Sequence, residues 1–212
     1  MNQHIYQRRP VNDSTIPNVI FFIMIANGLV YAMQRLLGPN NLLDQYLALW
    51  PIGSPWADFY PWQLLTYGFM HSDRDILHIA FNLFMLWMFG RELELLMGPR
   101  RFLTYYFTCV VGAGIVQLIV AALQGGGYPT VGASGGVMGI LLAFGMTFPN
   151  RMLMLIFPPI PMKAKYMVML FAALDIYLGF SGQAPNIANF AHLGGMLFGF
   201  LLIQHWKKAA RR

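Results

Sequence analysis

The chain has 212 residues, of which 57% are hydrophobic and only 10% charged, a balance that excludes an ordinary soluble domain and indicates an integral membrane protein. A net charge of +6 would suit nucleic acid, but the basic residues stand at the ends of apolar runs, where they set orientation in a bilayer, so no nucleic-acid partner is expected. The single cysteine, Cys109, lies inside an apolar segment; it can form no internal disulfide and reads as a small packing residue.

Residues 1–17 are polar, and the apolar run after them carries no small-residue cleavage pattern, so the sequence predicts a short N-terminal segment and a retained membrane anchor. Six helices are predicted from the apolar runs, at about 18–37, 77–97, 102–124, 134–147, 165–181 and 187–206. The expected fold is an all-α membrane protein, a six-transmembrane-helix bundle forming one domain over 1–212 and closing on a basic tail, 207–212. Residues 38–76, between the first two helices, hold Trp50, Trp56 and Trp62 with Tyr46, Tyr60 and Tyr67 among several prolines. Such density predicts a segment lying in the membrane interface, although a surface loop with a small aromatic core has the same composition.

Alternate loops of a six-helix chain lie on opposite faces. Arg8 and Arg9; Arg91, Arg100 and Arg101; Arg151, Lys163 and Lys165; and Lys207, Lys208, Arg211 and Arg212 then share one face, leaving Arg35 and Arg74 opposite. The positive-inside rule predicts that both termini are cytoplasmic and that the aromatic loop, with Asp44, Asp58, Asp73 and Asp75, faces outward.

Helices two, four and six run from the outer face inward, which brings His78, Asn82, Ser134 and His192 to a similar level on the outer side. Ionisable groups at membrane depth are rare and point to function. Ser134 lies in the run Thr130 to Gly139, TVGASGGVMG, where small neighbours admit a substrate and a helix N-terminus offers unpaired N–H groups to developing negative charge. Glycine packing alone gives the same spacing. The fourth helix, about 14 residues at ~1.5 Å each, reaches about 21 Å of a roughly 30 Å hydrocarbon core, so its outer end starts below the surface and water reaches Ser134 through a depression.

The sixth helix presents Ala188, His192, Gly195 and Gly199 at helical spacing, and the fourth offers Gly135 and Gly139. Small faces let helices touch, and that contact would bring the His192 imidazole within hydrogen-bond reach of the Ser134 hydroxyl, where a base activates a weak nucleophile. A satisfied core histidine is the other reading of such a position. His78 and Asn82, at i and i+4, share a helix face from which both can donate toward an oxyanion. There is no second histidine at ligand spacing and no HExxH, so neither a metal nor a cofactor is expected. The order Ser134, Asp175, His192 is that of an α/β-hydrolase triad, but that fold alternates strands with helices in a mostly soluble chain; here Asp175 reads as a hydrogen-bonding structural residue.

GASG around Ser134, His-x-x-x-Asn at His78 and Asn82, and Ala-His-x-Gly-Gly at Ala191 to Gly195 together resemble the rhomboid family of intramembrane serine proteases, in its bacterial six-helix form. The resemblance runs through nearly the whole chain and includes Gly90-x-x-Leu93-Glu94, Gly98 and Arg101. It implies Ser134 as nucleophile and His192 as base of a dyad without an essential acid, with His78, Asn82 and the Ser134 N–H as the oxyanion hole. Met138 departs from the pattern, which usually carries Tyr or Phe there, stacked on the catalytic histidine. The implied activity is cleavage of the transmembrane segments of other proteins near the outer side of a bacterial plasma membrane, with membrane lipids as surroundings. The alternative is a catalytically silent relative that binds client helices. The fifth helix and the loop Gly182 to Asn186 are the expected gate.

Overall fold

Apolar runs broken by proline and glycine fold into helices that stop where those residues stop them. The computed structural model describes residues 18–39, 41–72, 75–125, 127–155, 159–182 and 188–211. Arg8 and Arg9, Asp73 and Arg74, and residues 183–186 of the expected gate loop lie outside them. The long helices are α1 (Asn18–Leu37), α4 (Ile76–Met97), α5 (Pro99–Gln124), α6 (Ser134–Thr147), α7 (Ala164–Ser181) and α8 (Asn189–Ala209), with short α2 (Leu42–Leu47) and α3 (Gln63–Thr66) between α1 and α4. Helix α5 begins before its predicted start because Gly98 takes a φ of 79° and Pro99 fills the first turn, where its missing N–H is not needed. Helix α8 runs on through Lys207 and Lys208, whose charges suit a helix C-terminus.

Among the described residues, Val19–Leu37, Ile76–Met97, Pro99–Gln124 and Ala164–Ser181 are long and apolar enough to cross a membrane. Helix α6 is apolar but has 14 residues, and Asn189, His192, Gln204 and His205 dilute the apolarity of α8. Phe22, Leu29 and Leu36 on α1 and Met169, Tyr177 and Phe180 on α7 are exposed, an apolar surface that suits lipid and not water. The protein is thus a helical, multi-pass membrane protein. One element corrects the all-helical expectation: β1 (Met152–Met154) and β2 (Pro161–Lys163) pair antiparallel with Leu153 opposite Met162. Pro149, Pro159 and Pro161 prevent a helix in this connection, and the ladder satisfies its backbone instead.

Polar contacts fix which helix ends sit together. The buried Glu94 carboxylate, near the end of α4, accepts the N–H groups of Val19 and Ile20, both at 3.0 Å, and so caps the start of α1. Glu92 pairs with Arg151 just after α6, and Arg151 also lies 4.6 Å from the Phe148 ring. Met97, Arg101, Trp206 and Lys207 line one hollow at this same end. At the other end Gln34, in the last turn of α1, accepts from His71 N–H at 3.0 Å and donates to the His71 carbonyl at 2.9 Å.

Helix α6 is the centre of the bundle, buried at every position from Gly135 to Leu141. Its glycines allow this. A Cβ at Gly136 would strike the Tyr106 ring and one at Gly139 would strike the Cys109 sulfur, so Cys109 is the packing residue expected. The aromatic loop is itself folded: Gln63, fully buried, accepts from Trp50 N–H at 3.2 Å and donates to the Gln45 and Asp58 carbonyls, also at 3.2 Å. Tyr67 is buried and donates to the Val110 carbonyl at 2.6 Å, while Trp56 and Trp62 remain exposed.

Candidate active site

The segment entering α6 is held from outside by the aromatic loop. Leu49 and Thr130 exchange backbone hydrogen bonds of 3.0 and 2.9 Å, and Gly132 N–H donates to the Tyr67 carbonyl at 3.0 Å. Gly132 has a φ of 128°, which only glycine adopts without strain, and a Cβ there would come within 3.1 Å of His78 Nε2 and 3.6 Å of Ser134 Oγ. Backbone, His78 ring and Ser134 hydroxyl therefore crowd around one point. Ser134 is the first residue of α6 and half-buried, and the first-turn N–H groups of that helix have no partner inside it.

Helices α6 and α8 touch backbone to backbone just past Ser134 and His192. A Cβ at Gly135 would lie 3.6 Å from the Ala191 carbonyl oxygen, one at Gly139 would lie 3.2 Å from the Gly195 carbonyl oxygen, and one at Gly195 would overlap the Gly135 carbonyl. This is the small-residue contact predicted from spacing. His192 stands in the first turn of α8, directly after Ala191, whose carbonyl faces Gly135. Among the described residues no hydrogen bond links Ser134 Oγ to His192; the imidazole Nδ1 lies instead 2.9 Å from Asp175 Oδ1 of α7. Met138, one turn beyond Ser134, is buried.

Asn82 is buried on the same face of α4 as His78, and its amide donates one hydrogen bond back to the His78 carbonyl at 2.9 Å, which leaves a second N–H for another acceptor. The His78 ring meets the His71 ring edge-on, with centroids 5.2 Å apart. His71, in the loop before α4, is fully buried; desolvation, with His78 close by, pushes its imidazole down to about 4. Asp75 caps the start of α4, its side chain accepting the Leu77 N–H at 2.9 Å.

Tyr67, Leu49, Thr130 and His71 carry no role in the sequence reading, and Asp175, expected there to be a hydrogen-bonding residue, is hydrogen-bonded to His192. The first three act through backbone groups, which leave no residue signature. Among the described residues no cluster of three or more His, Cys, Asp or Glu is placed to hold a metal ion.

Three relatives frame this geometry. The chain is 27% identical over 226 residues to Rhomboid protein 1, mitochondrial, of Saccharomyces cerevisiae, which covers 98% of this chain and 62% of that protein. It is 27% identical over 187 residues to the human Presenilin-associated rhomboid-like protein, mitochondrial, covering 86% of this chain and 47% of that one. With Rhomboid protease GluP of Bacillus subtilis the identity is 31% over 140 residues, covering 66% of this chain and 25% of that protein. The chain thus spans less than two thirds of the length of each. Residues 58–206, well over half of the chain, match the Rhomboid domain, and the chain belongs to the rhomboid family.

Proposed function

We propose that the protein is an intramembrane serine endopeptidase that cleaves transmembrane segments of other membrane proteins near the outer side of the bilayer. The observation that carries this reading is the meeting of three distant stretches at one end of the bundle: Ser134 at the start of α6, His78 against Gly132, and His192 in the adjoining turn of α8. A relative named as a protease adds support.

In this reading Ser134 Oγ attacks the carbonyl carbon of the scissile bond while its proton passes to His192 Nε2. The tetrahedral oxyanion is met by the first-turn N–H groups of α6, by His78 and by the free N–H of Asn82. Collapse breaks the C–N bond; the departing amine takes the proton from His192 and leaves an ester on Ser134. Water then adds to that ester, giving a proton to His192, and release of the carboxylic acid returns the proton to Ser134 Oγ. A substrate helix must unwind to expose a peptide bond, so Gly, Ala or Pro near the outer end of its span favours cleavage.

Helices α6 and α8 complete six crossings, both termini are cytoplasmic, and the membrane is the plasma membrane of a bacterium. The cluster of Arg101, Arg151 and Lys207 near one set of helix ends supports that orientation, and exposed Trp56 and Trp62 suit a loop in the opposite interface. The test is purified protein in liposomes with a single-span reporter substrate. Wild type should cleave it, whereas Ser134→Ala and His192→Ala should remain folded and inactive. Cleavage surviving in either variant, or reporter binding without cleavage by wild type, would end the protease reading.

A further inference from the structure

The site contains a carboxylate that a serine–histidine pair does not use. Asp175 Oδ1 lies 2.9 Å from His192 Nδ1, with side chains only 9% and 17% exposed. It sits on α7, whose neighbouring Leu174, Ile176, Tyr177 and Phe180 are exposed and whose buried residues are Ala164, Met167 and Asp175. A carboxylate on so apolar a helix is expensive unless it is paired, and the partner it has found is the proposed base.

An imidazole has two nitrogens, and the partner of one decides what the other can do. With Nδ1–H donating to Asp175, the lone pair is left on Nε2, which must accept the Ser134 proton, and the ring cannot rotate without losing the bond. Once that proton has moved, the carboxylate faces an imidazolium and stabilises it. We infer that Asp175 is a positioning residue for His192, holding it in the Nδ1–H tautomer and making the working unit Ser134–His192–Asp175. The inference rests on the reading of His192 as the base.

A bond that merely fastened α7 to α8 would tolerate Asp175→Asn, which keeps the volume and a polar contact. Positioning would not, because an amide donating to Nδ1 places the proton on Nε2, the wrong nitrogen. Asp175→Asn should therefore lower kcat by on the order of 10²- to 10⁴-fold with KM little changed, as tautomer reversal does in serine proteases. The direct measurement is the ¹⁵N spectrum of histidine-labelled wild type at alkaline pH, the His192 signals identified by their loss in His192→Gln. Protonated Nδ1 and bare Nε2 are expected in wild type, and the reverse in Asp175→Asn. Bare Nδ1 in wild type, or wild-type kcat in a folded Asp175→Asn, would overturn the inference. The spectrum needs no active variant, so it decides the role of Asp175 toward His192 even if wild type cleaves no substrate, an outcome that would count against the protease reading alone.

Discussion

Gly195 of α8 stands so close to Gly135 of α6 that a side-chain carbon on the first would land on the carbonyl of the second. Because Ser134 precedes Gly135 and His192 lies one turn before Gly195, this contact sets the separation of the proposed nucleophile and base. Gly195→Ala should cost about 1 to 3 kcal/mol of overpacking. Cleavage should fall by on the order of 10²-fold if the helices part by about 1 Å. Gly28 in α1 is the control: nothing lies within 4 Å of a Cβ there, so Gly28→Ala should gain about 0.5 to 1 kcal/mol and leave cleavage unchanged. Thermal unfolding in detergent, run beside the cleavage assay, checks both.

Glu94 ties the start of α1 to the end of α4 through two hydrogen bonds to backbone N–H groups. Glu94→Ala leaves buried donors unpaired and should cost about 1 to 3 kcal/mol, and Glu94→Gln, which keeps one acceptor, should cost less. Turnover by the folded fraction should not change, since this cap lies at the end of the bundle away from Ser134. A large fall in kcat at unchanged stability would show that α1 acts on the site.

His71 supplies a pH dependence. Its folded value, about 4, lies below the ordinary 6.5, so protons bind the unfolded chain more readily. The stability it contributes is full above about pH 6.5 and is lost as pH falls toward about 4, up to roughly 3 kcal/mol at about 1.4 kcal/mol per unit. His71→Phe keeps a ring against His78 but cannot titrate, and should flatten the loss over that window. Unfolding temperatures measured from pH 7 to pH 4 give the comparison; equal slopes for the two proteins would assign the effect to other groups.

Asn82 spends one amide N–H on the His78 carbonyl, and the other is the proposed oxyanion donor. Its removal in Asn82→Ala should lower turnover by on the order of a hundredfold, roughly 3 kcal/mol, with KM little changed. A raised KM at constant kcat would instead move the residue to substrate recognition.

The helices and one helix contact around the candidate site are legible in the sequence, and the parts that are not escape for separate reasons. Helix positions follow from apolar runs ended by Gly98, Pro99, Pro149 and Gly182, and the glycine contact between α6 and α8 follows from spacing. The joining of Gly132 to Tyr67 and of Leu49 to Thr130 runs through backbone atoms, which every residue carries. The Asp175–His192 bond depends on the rotation of α7 about its own axis, which a helix apolar on nearly all sides does not reveal. The hairpin at Met152–Met154 escaped because a short apolar run among prolines has no period long enough to read.

The central claim is that Ser134 is a nucleophile activated by His192, and covalent labelling reaches it most directly. Protein in liposomes is treated with a fluorophosphonate probe, digested and mapped by mass spectrometry. The account predicts one adduct, on Ser134, that is absent from Ser134→Ala and lost in His192→Ala. An adduct on another residue, or undiminished labelling of Ser134 without His192, would contradict it.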